Sequence, residues 1–224
     1  MANHAYLSVW TRELSAETML DQMEALLGTI PFSAGRPGLA FFVVRAISPA
    51  ETPLVEADFR GRVVDPAAVV EMAREYSNSD TAYEVTASWD LWAYHAAEGK
   101  WQQNAQPLEI IFHGTEYDDG IWQEMGHFQL DAGFEHLFTG HAGILGVHDG
   151  KTVTTEDPAE AAFLAAMSRP ENLREYHQKT RENIQKLMDW ALQIENRMPV
   201  ERCRLWSEGE ENFEARLDDI LAVR

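Results

Sequence analysis

The feature that most constrains this chain is a run of strict alternation from Tyr83 to Tyr94, returned through Leu108 to His113. Tyr83, Val85, Ala87, Trp89, Leu91 and Ala93 fall on one face. Glu84, Thr86, Ser88, Asp90, Trp92 and Tyr94 fall on the other, where Trp92 and Tyr94 either pack under a helix from the C-terminal part or line a pocket or partner surface. A period of two is the signature of a strand, and Glu98-Gly99 supplies the turn that sends the chain back. On the return, Leu108, Ile110 and Phe112 oppose Glu109, Ile111 and His113. Pro107 cannot donate to a ladder, so it is expected at the start or the edge of that strand. A third extended run, Glu124 to Asp131, follows the turn Asp118-Asp119-Gly120 and is expected to pair antiparallel. On this geometry His113 and His127 approach each other across the pair.

Upstream, Tyr6 to Thr11 reads as a first strand. Ser15 is an N-cap for a helix with Met19, Leu20, Met23, Leu26 and Leu27 on its stripe, and Gly28 stops it. Leu39 to Ile47 is apolar on both faces, as in a covered strand. Leu54 to Val64 alternates as a half-exposed one. Asp65-Pro66 opens a second helix through Val69, Val70, Met72, Ala73 and Tyr76. The order β-α-β-β-α-β over residues 6–96 predicts a ferredoxin-like, split βαβ sheet, here extended by two antiparallel strands.

After Glu156 the period becomes helical. Asp157-Pro158 and Ser168 with Glu171 are start signals. A long helix then runs to about Arg197, stopped by Pro199, and an amphipathic helix covers 210–223. The expectation is an α+β protein: a sheet domain over 1–150 and a C-terminal helical region over 151–224, packed on the sheet as one unit. Its long stripe is also suited to a homodimer contact through the C-terminal helices.

Charge narrows the partners. The chain carries 37 Asp and Glu against 18 Lys and Arg, a net charge of −19. Such a chain repels nucleic acid and anionic membranes. No run approaches the length of a membrane helix, and no secretory signal is visible at the start. The single cysteine, Cys203, forms no internal disulfide, which fits a reducing, cytoplasmic setting. Residues 81–150 hold 11 acids against one base, Lys100, with 6 of the 8 histidines and 4 of the 7 tryptophans.

No motif specifies a reaction. There is no Gly-x-Ser-x-Gly elbow and no His-Glu-x-x-His, and the glycines of 139–146 lack a dinucleotide fingerprint. Two readings follow. In the first, the protein is a non-catalytic binding or inhibitor module, similar in electrostatic logic to immunity proteins, for a basic protein partner. Asp90, Asp118 and Asp119 supply charge, and Trp92, Tyr94 and Trp122 supply anchors. It needs no cofactor. In the second, it is an enzyme or metal-binding protein whose His113, His127 and Asp131 hold a divalent transition metal.

Overall fold

A computed structural model describes residues 2–95, 98–141, 144–145 and 158–223. Among these residues seven strands make one open antiparallel sheet: β1 (His4–Thr11), β2 (Phe41–Ala46), β3 (Val55–Asp58), β4 (Thr81–His95), β5 (Lys100–His113), β6 (Phe128–Phe134) and β7 (Val200–Ser207). The helices are α1 (Ala16–Leu27), α2 (Pro66–Arg74), α3 (Trp122–Met125), α4 (His136–Thr139), α5 (Pro158–Met167), α6 (Pro170–Arg197) and α7 (Phe213–Ala222). The protein is α+β, and among the described residues no helix is long and apolar enough to cross a membrane.

The spine of the sheet is the β4–β5 hairpin, paired from Ala82↔His113 to His95↔Lys100. It forms between near neighbours in sequence, so its loop closure costs little entropy. It also decides the strand order, β3-β2-β4-β5-β6-β1-β7. The split βαβ order predicted for residues 6–96 would seat β1 between β3 and β4. Instead β2 takes one edge of β4 and β5 takes the other, so β1 pairs with β6 and β7. The two additional strands are inserted between β4 and β1 rather than added at the rim.

Other boundaries move for local reasons. Pro107 lies inside β5, opposite Ser88, where β6 no longer flanks the strand; β5 pairs with β6 only over Glu109 to Phe112. The run 124–131 is divided: Trp122–Met125 is helical and the strand begins at Phe128. Gly126 makes the joint at φ 95°, and a Cβ there would sit 2.9 Å from the Val9 nitrogen, so only glycine fits. The 54–64 strand shortens to Val55–Asp58. Strand β7 interrupts the expected all-helical C-terminal region and completes the sheet beside β1.

One sheet face is the core side. Leu7, Val9, Phe42, Tyr83, Trp89, Ile110, Phe112 and Phe128 are buried there with α1 residues Met23 and Leu26 and α6 residues Ile184, Leu187 and Ile194. Ser15 caps α1 in a reciprocal box with Thr18, and Asp65 caps α2 ahead of Pro66. Trp89 and Trp190 meet with ring centroids 5.5 Å apart, which ties α6 to the middle of β4.

Helix α6 does more than cover apolar surface. β2 pairs with β4 only as far as Thr86; beyond it the Ser33 amide donates to the Ser88 carbonyl and Phe32 bridges to Trp89, and from Asp90 onward this edge has no strand partner among the described residues. Side chains from α6 take over. The Trp92 amide donates to Asn183 Oδ1 at 2.8 Å, and Asn183 Nδ2 donates to the carbonyls of Trp92 and Leu137, each at 2.9 Å. Lys186 Nζ donates to the Asp90 carbonyl at 2.8 Å. The sheet edge is thus satisfied by a helix, which also protects it from pairing with another chain.

Candidate functional site

Because α6 docks along this edge, the far end of the β4–β5 hairpin meets helices α4, α5 and α6. Trp101 stands opposite Tyr94 in the hairpin register. Tyr176 and Thr180 lie one turn apart on α6, on the face that also carries Asn183. Phe163 and Glu160 come from α5, and His136 and Leu137 from α4. Together with Trp92, Ala93, Tyr94 and His141 these residues surround a cavity of about 290 Å³.

Its walls are aromatic. Tyr94 lies 5.4 Å from Trp101 and 5.5 Å from Phe163 between ring centroids, and Trp101 and Phe163 lie 4.9 and 5.6 Å from Tyr176. Most of these contacts are edge-to-face or tilted, the arrangements that aromatic quadrupoles favour. The polar groups are few. Glu160 Oε1 is 3.8 Å from His141 Nε2. The His141 amide donates to the Tyr176 hydroxyl at 2.9 Å. Burial lowers the pKa of His136, and His141 beside it adds to the effect, so His136 is neutral at pH 7. Burial pushes the Tyr176 phenol up to about 12. Outside the cavity, Lys179 Nζ sits 3.7 Å from the Trp92 ring centroid, so a π face at this end of the strand already holds a cation.

The described lining residues include the Thr180 hydroxyl but no serine or cysteine. They offer ring faces and edges, one carboxylate and two imidazoles, which suits a ligand with an apolar stem and a positive end.

Two of the residues singled out in the sequence, Trp92 and Tyr94, line this cavity. Asp90 is adjacent but engaged elsewhere. It accepts from the Ala34 amide at 2.9 Å and so holds the 33–36 segment against β4. Burial pushes its pKa up, but hydrogen bonds from Ser33 and Ala34 and the charge of Lys186 outweigh this and lower it. Asp118, Asp119 and Trp122 lie toward the other end of the sheet, roughly 35 Å away at ~3.3 Å per strand residue. Asp118 and Asp119 both adopt left-handed backbone in the turn. Trp122 Nε1 donates to the Thr115 carbonyl, and the Trp122 carbonyl accepts from Trp10 Nε1. The six residues therefore divide between two places.

His113 and His127 do approach each other: the His113 amide donates to the His127 carbonyl at 2.9 Å, and both rings are buried. Their polar atoms are engaged structurally. His113 Nδ1 bonds the Gly126 carbonyl, and His127 Nδ1 accepts the Thr11 amide. Asp131 pairs with His4 Nδ1 at 2.7 Å instead. Among the described residues no group of three or more potential metal ligands converges, so the expected His113, His127 and Asp131 centre is not assembled. The turn signal His148-Asp149-Gly150-Lys151 in the sequence lies outside the described residues.

Tyr94 does meet C-terminal helices, through Phe163 and Tyr176, but sequence reasoning did not single out Trp101, His136, His141, Glu160, Phe163 or Tyr176 as the partners of Trp92 and Tyr94. Trp101 alone was within reach, because a turn at 98–99 fixes its register with Tyr94. No protein-family model, curated protein or solved structure matches this chain.

Proposed function

We propose that the protein is a non-catalytic binding module for a basic protein partner, and that the aromatic cavity at the end of the β4–β5 hairpin seats one cationic side chain of that partner. The observation that carries this reading is the ring of Tyr94, Trp101, Phe163 and Tyr176 around a side-chain-sized space with Glu160 at its border. A lysine or arginine stem packs against the rings while its charge gains from π faces and the carboxylate. The net charge of −19 steers such a partner toward the surface. In this reading Trp92 and Tyr94 act as anchors, Asp118 and Asp119 contribute only long-range field, and no metal or cofactor is required. A homodimer through α6 is a second proposal, favoured by Met188 and Leu192, which lie exposed one turn apart on its outer side.

The test uses an arginine-rich peptide and its norleucine-substituted counterpart, titrated calorimetrically at low and high salt. The arginine peptide is expected to bind, and Trp101→Ala to weaken it at least tenfold with the melting temperature little changed. Equal binding of the norleucine peptide, or an unaltered Trp101→Ala affinity, removes the cavity as the cation site.

A further inference from the structure

A second concavity lies farther along β4 from the aromatic cavity, and its charge runs against that of the chain. The segment 35–40, before β2, and the segment 59–63, after β3, rise on either side of a cleft of about 660 Å³. Thr86 and Ser88 of β4 and Pro107 of β5 contribute to its floor. Arg36, Arg60 and Arg62 line it, and its lining residues include no Asp or Glu. In a chain with 37 acids and 18 bases, three guanidinium groups around one cleft are a local concentration of positive charge, which Asp58 at Arg60 partly offsets.

Two of the arginines are held in place. Arg60 lies over the Phe41 ring, 4.5 Å from its centroid, with Nε and Nη2 directed to the Asp58 carboxylate. Arg62 lies 5.9 Å from the Phe59 centroid, and its Nη2 donates to the Asp58 carbonyl. Stacking and these bonds fix the planes of both groups, while Nη1 of Arg60 and Nε and Nη1 of Arg62 have no protein partner among the described residues. Arg36 has no side-chain partner among the described residues either. The turn Phe59 to Arg62 closes through the Arg62 amide to the Phe59 carbonyl, with Gly61 at φ 82°. The Gly38 and Gly61 amides make no internal hydrogen bond among the described residues, which leaves backbone donors beside the cationic ones. Glu109, opposite Thr86 on the same sheet face, bounds the cleft on the β5 side.

We propose that this cleft binds a small-molecule oxyanion, a phosphate- or carboxylate-bearing compound, through Arg36, Arg60 and Arg62. Planar guanidinium forks match both oxyanions with paired hydrogen bonds. Val63, exposed at its border, and the half-buried Phe41 give the remainder of such a ligand an apolar surface. The site is independent of the aromatic cavity and does not rest on the basic-partner reading.

The experiment is calorimetry of the full chain with pyrophosphate and with citrate at 50 and 150 mM NaCl. At least one probe is expected to bind with one-to-one stoichiometry at both salts. Arg36→Ala with Arg62→Ala is expected to weaken it at least tenfold. Arg60 is left intact because it holds Asp58. Arg36→Lys, which keeps the charge and loses the fork, is expected to fall between, and Trp101→Ala to have no effect. Thermal melts confirm that each variant is folded. Binding of pyrophosphate alone assigns a phosphate-bearing ligand, and binding of citrate alone a carboxylate. Binding of neither probe, loss of binding at 150 mM NaCl, or equal affinity in the double variant overturns the proposal.

Discussion

At the scale of single residues, two buried polar groups carry unusual structural weight. Asn183 is 2% exposed, and its amide serves three backbone groups of β4 and α4. Asn183→Leu keeps the volume and strands all three away from water, so a loss of about 3 kcal/mol is expected in urea unfolding. A loss below about 1 kcal/mol would mean that solvent reaches this edge. His127 makes a pH prediction. Burial, then the neighbouring His113, lowers its pKa from the ordinary 6.5 to about 4. Between these values the unfolded chain binds a proton that the folded chain refuses, so stability rises with pH across that window. Acidification from pH 6.5 to 4 is expected to cost about 3 kcal/mol through this residue, at ~1.4 kcal/mol per unit. The chemistry agrees, since protonated Nδ1 no longer accepts the Thr11 amide. His127→Gln should flatten this part of the pH–stability curve, and an unchanged slope would remove His127 as its source.

At the scale of elements, β7 is an edge strand with built-in protection. Glu214 of α7 accepts the Leu205 amide at 2.9 Å, and Arg202 and Arg204 stand exposed along the strand. Both devices discourage edge-to-edge association. Cys203 lies on this strand, partly buried. Burial pushes its thiol up to about 12, and Glu195 and Glu214 add to the effect. A thiol this far from ionisation is a poor nucleophile. Cys203→Ser is expected to leave folding and peptide binding intact, and a thiol reagent at pH 8 to label the native protein far more slowly than the urea-unfolded chain. Fast labelling of the native protein would contradict this.

At the scale of the whole molecule, the net charge of −19 acts at long range while the cavity acts at contact. Raising salt from 50 to 300 mM is therefore expected to slow association of the arginine-rich peptide severalfold, with a smaller effect on dissociation. Asp118→Asn with Asp119→Asn should reproduce a small part of that slowing, because the pair lies far from the cavity. Stopped-flow tryptophan fluorescence separates the two rates. A salt effect confined to dissociation would mean that the charge is not steering the encounter.

What the sequence determined by itself was local. The alternation of residues 83–94 and their return, the Ser15 and Asp65 caps, the helical period after Glu156 and the α+β class all follow from interactions within a few residues of each other. The approach of His113 and His127 was legible for the same reason, since a short connection fixes their register. Strand order was decided only in three dimensions. Whether β1 lies beside β4 or beyond β6 depends on which strand claims each edge of β4, and that is a competition between distant segments. The cavity has the same origin. Trp92 and Tyr94 read in sequence as polar-face aromatics, and nothing local tells them that α6 will cross the β4 edge through Asn183 and Lys186. That crossing brings Phe163 and Tyr176 to meet them, because a buried backbone edge without hydrogen-bond partners is too costly to leave open.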